Sequence, residues 1–163
     1  GRGALRRERL ELADVLNQAI ASTEARTEQH GIRIVRALTP GLVVEADVDR
    51  LAQVMINVIS NAVKYGRGDP PEIHISSHTA DTSVLLDFSD NGPGIPKADQ
   101  GRVFEKFARL GESTLAGSAG LGLPISREIM KNLGGDLELL AEGPGATFRL
   151  RLPNPDARRT AAE

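Results

Sequence analysis

Between Asp47 and Tyr65 the apolar residues recur with the helical period, and the two faces of the segment differ in chemistry. At about 100° per residue, Leu51, Val54, Met55, Val58, Ile59 and Ala62 fall on one broad face, and Gln53, Asn57, Ser60, Asn61 and Lys64 gather on the other. A helix with one apolar face must bury it against another layer, which restricts the chain to folds in which helices cover a sheet or one another. Asp47 suits the N-cap, and the run Gly66 to Pro71 stops the helix. Strand-like segments follow at 72–77 and 83–89, with a short polar turn between them.

The rest of the chain has the same alternation of helix and strand. Residues 8–29 read as a helix, with Leu12, Val15, Leu16, Ala19, Ile20 and Thr23 at helical spacing and His30-Gly31 as its end. Ile32, Ile34 and Arg36 alternate into a strand, and Pro40-Gly41 turns the chain before Leu42 to Val44. Residues 96–108 read as helical in patches, and 109–119 as a mobile loop. A third main helix spans 121–133, stopped by Gly134-Gly135, and a hairpin pairs 136–141 with 147–152. Residues 154–163 have little to bury and read as a disordered tail.

Composition narrows the class. The 163 residues fit one domain with a real core, and because aromatics are only 3%, Leu, Ile, Val and Ala must do most of the packing. A formal net charge of -2 gives no electrostatic case for nucleic acid or an anionic membrane surface. Without Cys there are no disulfides or thiolate metal sites, and His30, His74 and His78 are too scattered for a zinc site. No apolar run approaches the roughly 20 residues that span a bilayer, and no signal peptide is visible. The chain, which starts without Met, reads as a cytoplasmic piece of a longer protein.

Three segments carry the chemistry. On the polar face of the second helix, two carboxamides one turn apart, Asn57 and Asn61, are followed by the Lys64 ammonium. Taken alone this is an ordinary solvent-facing stripe. Asn is nevertheless a poor helix former, and a neutral carboxamide oxygen suits Mg²⁺ beside phosphate. Directly after a strand comes Asp90-Asn91-Gly92-Pro93-Gly94-Ile95-Pro96, either a plain turn or a buried carboxylate reading the amino group of adenine, with glycines that let backbone approach a flat base. Finally, Gly120-Leu121-Gly122-Leu123 opens the third helix, whose N-terminal N–H groups suit phosphate. Neither a P-loop nor a Rossmann fingerprint is present. In combination the three segments describe an ATP pocket.

Asn57 to Lys64, Asp90-x-Gly92-x-Gly94, the pair Phe104 and Phe107, and Gly120-Leu-Gly-Leu123, in this order, resemble the catalytic and ATP-binding domain of bacterial sensor histidine kinases, within the group that includes gyrase, Hsp90 and MutL proteins. The resemblance runs from Glu11 to Pro153. It implies an α/β two-layer sandwich, a mixed, mostly antiparallel sheet backed by three helices, with ATP under a lid. It also implies Asn61 as the Mg²⁺ ligand with Asn57 beside it, and Lys64 and Tyr65 along phosphate and nucleoside. Asp90, Gly92, Gly94 and Ile95 would lie at the adenine, Phe104 and Phe107 in the phenylalanine box, and Arg109 just after it. Gly120, Leu121, Gly122 and Leu123 would hold phosphate, and Thr147 would sit near the base. Asn57, Lys64 and Arg109 are then the residues expected nearest the transfer step.

Two departures from the family pattern stand out. Ser118 and Ala119 replace a glycine and a hydroxyl of the second glycine box. No histidine here has the setting of the family's phosphoacceptor, which lies on a separate dimerisation domain; residues 1–10 read as the stub of that domain's second helix. Where the family's hydrolases carry a glutamate, Asn57 cannot serve as a general base, so the pocket suits phosphoryl transfer to a partner histidine. The implied partners are the histidine-bearing domain and a response regulator, with a homodimer in the full-length protein and a monomeric fragment. A transfer-inactive regulatory module and a protein-serine kinase of the same superfamily stay open as alternatives.

Overall fold

The computed structural model describes residues 5–106, 122–140 and 145–157. In chain order its elements are β1 (Glu8–Glu11), α1 (Leu12–Gln29), β2 (Arg33–Ala37), β3 (Val43–Ala46), α2 (Val48–Tyr65), β4 (Glu72–Ala80), β5 (Ser83–Asp90), α3 (Lys97–Gln100), α4 (Gly122–Asn132), β6 (Asp136–Leu140) and β7 (Thr147–Pro153). The main sheet has the order β2-β4-β5-β7-β6. Only β2 and β4 run parallel; the other neighbours are antiparallel. This is the mixed, mostly antiparallel sheet backed by α1, α2 and α4 that the motifs imply. Among the described residues no helix is long and apolar enough to cross a membrane.

Strand period decides which side of the sheet is buried. On β7, Phe148, Leu150 and Leu152 alternate inward, and on β5 Val84, Leu86 and Phe88 do the same. They meet Leu16 and Ile20 of α1, Leu51, Met55 and Ile59 of α2, and Met130 of α4 in one core. The opposite face carries ion pairs. Arg149 grips Asp87 with two hydrogen bonds of 2.8 and 2.9 Å, and Arg151 donates to Glu138 at 3.1 Å. Leu85, opposite Arg151 in register, is nevertheless 2% exposed on that face. Long arginine stems can cover apolar surface while their heads reach water.

Residues 8–11, expected to begin the first helix, instead form β1, paired antiparallel with β3. Tertiary contacts outweigh local helix preference here. Leu10 packs on the core, Arg9 pairs with Asp156 at 2.9 Å, and the Arg7 guanidinium donates to the carbonyls of Asn132 and Leu133 at the end of α4. The expected unattached tail is also partly held, since Asn154 N–H donates to the Thr82 carbonyl at 2.8 Å and residues 155–157 are helical. Strand β4 extends to Ala80, three residues past its expected end, because the hairpin turn tightens at Asp81 (φ 54), a conformation Asp tolerates.

Asp47 caps α2 as its sequence position suggests, with Oδ1 accepting from the N–H groups of Asp49 (3.1 Å) and Arg50 (3.2 Å). Its Oδ2 accepts the Arg6 N–H at 3.1 Å, which ties the entering segment to the helix that carries the polar stripe. The Arg6 N–H foremost, with those of Arg50 and Asp49, holds the carboxyl below its ordinary value despite an opposing push from burial. Asp47→Ala should cost about 1 kcal/mol, measured by urea unfolding at pH 7. The sign for acid follows from the lowered pKa. The ionic part of this stabilisation is complete above the unfolded value of 3.8 and is lost as pH falls through the native one. Asp47→Asn should keep part of the cap and lose that acid dependence.

Candidate functional site

Asp90, the last residue of β5, stands on the helix-covered side of the sheet, like Val84, Leu86 and Phe88 before it. Its Oδ1 accepts from the N–H of Gly92 at 3.0 Å and from that of Ala146 at 3.2 Å, so the turn after β5 and the start of β7 both fix the carboxylate. Burial pushes the Asp90 carboxyl above its ordinary value, and the two N–H groups pull it part of the way back. Glycines make this packing possible. A Cβ on Gly66 would overlap the Asp90 carboxyl, and one on Gly145 would overlap its backbone carbonyl. Gly94, at φ 79, takes a conformation that favours glycine.

The carboxylate opens into a cleft of about 140 Å³ lined by Asn61, Tyr65, Gly66, Gly94, Ile95, Pro96 and Ala146. Its walls are mainly apolar, with one fixed acceptor, an arrangement that suits a flat base bearing an amino group. Asn61 of α2 reaches this cleft, and its carboxamide bonds no other described residue. Asn91 holds the floor. It accepts from Gly68 and Glu72 N–H and donates to the Pro70 carbonyl at 2.7 Å, stapling the segment after α2 to the end of β5.

The other expected site residues divide into several groups. Asn57 turns toward α4, donating to Ser126 Oγ at 2.9 Å. Lys64 is exposed and lines a neighbouring cleft of about 450 Å³ with His30, Arg67 and Pro93, and Tyr65 borders both clefts. Gly92 supports Asp90 through its N–H, while Leu123 is 7% exposed and belongs to the core. Gly122 opens α4 with its carbonyl toward Asn57. Phe104 stands edge-on to Phe148 at 6.3 Å, with the Arg127 guanidinium 4.5 Å above its ring. Phe107, Arg109, Ser118, Ala119, Gly120 and Leu121 lie outside the described residues.

Thr147 requires a correction. Its hydroxyl is 2.7 Å from Ser89 Oγ, on the face of the sheet away from Asp90, and its neighbour Ala146 forms the cleft wall. Strand period could have shown this. With Phe148, Leu150 and Leu152 inward, Ala146 shares their side and Thr147 cannot. Gly66, Gly145, Asn91 and Pro96 were not singled out as site residues. Of these, Gly66 has a local signal as the stop of a helix carrying a polar stripe, Asn91 and Pro96 lie within the segment that follows β5, and Gly145 has none.

Comparison with known proteins agrees with this geometry. The family described as histidine kinase-, DNA gyrase B- and HSP90-like ATPase matches residues 46–156. The sensor protein KdpD of Escherichia coli K12 is 35% identical over 156 residues, covering 94% of this chain and 17% of KdpD, so the chain spans a small part of that relative. The nucleotide-free catalytic domain of the histidine kinase ThkA superposes with a TM-score of 0.80 at 27% identity, covering 94% of this chain and 99% of that domain. ThkA has also been solved in complex with the response regulator protein TrrA. Full-length ShkA, in complex with AMPPNP, gives a TM-score of 0.78 at 28% identity over 94% of this chain and 32% of ShkA. The chain therefore belongs to the histidine kinase-, DNA gyrase B- and HSP90-like ATPase family, as an ATP-binding catalytic domain of the sensor histidine kinase kind.

Proposed function

We propose that this domain holds Mg²⁺ and ATP so that the γ-phosphoryl group passes to a histidine on a separate dimerisation domain of the same protein. One observation carries the reading. Asp90 is a buried, doubly anchored carboxylate at the base of an apolar cleft that Asn61 borders. The anchored carboxylate accepts the adenine amino group and would repel the guanine carbonyl. Asn61 fits a metal next to phosphate, because its carboxamide is a hard, neutral oxygen donor that bonds no other described residue. When bound, Mg²⁺ neutralises phosphate charge. Tyr65, Ile95 and Pro96 wall the base, and Arg109 and the segment from Gly120 to Leu123 go to the phosphates by motif.

Transfer rather than hydrolysis follows from position 57. Asn57 has no carboxylate to activate water, and phosphoryl transfer needs chiefly positioning and charge neutralisation. A neutral imidazole is a competent nucleophile without a base. Residues 11–153 form the ATP-binding unit together with the rest of β1, the segment ahead of β1 leads from the dimerisation helix, and 154–163 are the tail. The isolated chain is a monomer and the full-length protein a cytoplasmically signalling homodimer. Its phosphohistidine then serves a response regulator, a partner class supported by the ThkA–TrrA complex.

The test mixes this chain with labelled ATP, Mg²⁺ and a histidine-bearing dimerisation domain from its own full-length protein. Acid-labile label on the added domain is the expected result. ATP binding without any phosphohistidine would shift the assignment to a regulatory module. Asn61→Ala should abolish the gain in ATP affinity that Mg²⁺ provides, read by calorimetry with and without EDTA. A wild-type Mg²⁺ response in that variant would exclude Asn61 as the ligand.

A further inference from the structure

We infer that Asn91 is a positioning residue for base selection, holding the segment after α2 against the one Asp90 oxygen left to read adenine. The inference rests on the ATP reading above. The two carboxylate oxygens of Asp90 have different neighbours. Oδ1 accepts from the N–H groups of Gly92 and Ala146 and lies on the Gly145 side. Oδ2 accepts from no described group and lies against Gly66, where a Cβ would overlap it. Gly66 and Asp90 line the same cleft. Whatever fixes Gly66 therefore fixes the wall beside the oxygen that serves the base.

Asn91 supplies that fixing. Its Oδ1 accepts from the Gly68 N–H at 3.2 Å and the Glu72 N–H at 2.8 Å, and its Nδ2 donates to the Pro70 carbonyl at 2.7 Å. All three partners are backbone groups, two that can only donate and one that can only accept, so the amide has a single orientation. Between α2 and β4 the chain is neither helix nor strand, and these bonds tie it down together with the Arg33 N–H on the Pro71 carbonyl at 3.1 Å. Packing marks the same junction. A Cβ on Gly68 would overlap the Asn91 carbonyl and carboxamide, and one on Gly92 would overlap the peptide joining Gly66 to Arg67. Without the Asn91 carboxamide the segment can draw away from the end of β5, and water can reach Asp90 Oδ2. A wetter, less rigid acceptor rejects a mismatched carbonyl less strongly, because water can bridge the two. Asn91 thus acts on the base only through Gly66 and Asp90.

The test compares ATP with inosine triphosphate, which carries a carbonyl oxygen where adenine has its amino group, by calorimetry on this chain. Wild type should prefer ATP by at least about tenfold. Asn91→Ala should lower that preference about threefold or more, by losing ATP affinity while the affinity for inosine triphosphate changes little. A residue needed only for folding would weaken both nucleotides alike. In an Asp90→Asn background, Asn91→Ala should leave the preference unchanged, since the acceptor it positions is gone. Asn91→Ser, which keeps a single short polar arm, should fall between wild type and Asn91→Ala, and it serves if the alanine variant fails to fold. Equal losses for the two nucleotides, an unchanged preference in the folded variant, or a further change in the Asp90→Asn background would each overturn the inference. A wild-type chain without a preference for ATP would overturn the adenine assignment of Asp90 as well. A wild-type chain that prefers ATP, with the same preference in Asn91→Ala, overturns this inference alone.

Discussion

Replacing Asp90 by Asn is expected to weaken ATP binding by about ten- to a hundredfold while leaving the free domain at least as stable at neutral pH. The two effects have opposite causes. Asp90 Oδ1 already accepts two backbone N–H groups, so the carboxylate can serve a base only because it has a second oxygen. Asn has one oxygen. If that oxygen stays with Gly92 and Ala146, an NH₂ group faces the amino group of adenine, donor against donor. If the amide inverts to serve the base, two backbone donors lose their acceptor. The free domain, by contrast, no longer has to bury a charge whose desolvation raises its pKa.

The pH dependence gives this prediction a second readout. Because its pKa is raised, native Asp90 binds a proton more tightly than the unfolded chain does. Its contribution to stability therefore grows as pH falls through the raised value toward the ordinary 3.8, and its cost is fully present above that range. ATP affinity changes in the other direction, falling as the carboxylate protonates. Both dependences should be absent from Asp90→Asn and so appear as the difference between it and wild type, measured by urea unfolding and calorimetry across the acid range. Equal ATP affinity for the two proteins would end the assignment of Asp90 as the adenine acceptor.

The second large effect is expected at Gly66, the residue just after α2. Gly66→Ala should cost about 1–3 kcal/mol of stability and at least roughly tenfold in ATP affinity. Backbone strain is not the reason, since φ is -106 at this position and alanine adopts it freely. The new methyl would instead overlap the Asp90 carboxyl carbon and Oδ2. That carboxyl cannot swing aside without giving up its bonds to Gly92 and Ala146. Gly101→Ala is the control, because φ is -73 there and no described atom lies near its Cβ position. In an Asp90→Gly background, which also removes the Cβ that the new methyl would meet, the stability cost of Gly66→Ala should largely disappear, as expected when two residues share one contact. A full cost in that background would show that Gly66 is needed for some other reason.

Much of this domain was legible before any tertiary contact was known, and the legible parts share one property. The two faces of α2, its Asp47 cap and its stop at Gly66 depend on residues within a turn or two of one another. The alternation of β5 and β7 likewise follows from period two within each strand. One departure came from a distant partner that overrides the local signal. Glu8 to Glu11 has helical composition, yet it pairs with β3 because Leu10 gains the core and Arg7 reaches the end of α4. Thr147 was assigned by its place in a short motif, and the alternation of its own strand was the better guide.

The sequence by itself determined the class of layers, the order of the motifs and the place of the carboxylate acceptor that ends β5, Asp90, because periodicity, caps and turn residues act over short stretches of chain. The tertiary structure alone decided how that acceptor is held and which groups stand beside it. Gly66 and Gly145 must lack side chains because Asp90 occupies the space next to both, and Ala146 rather than Thr147 forms the wall. Asn57 turns its NH₂ arm to Ser126, 69 residues further along the chain. Contacts between such distant segments are set by how helices and strands pack, and no local pattern records them.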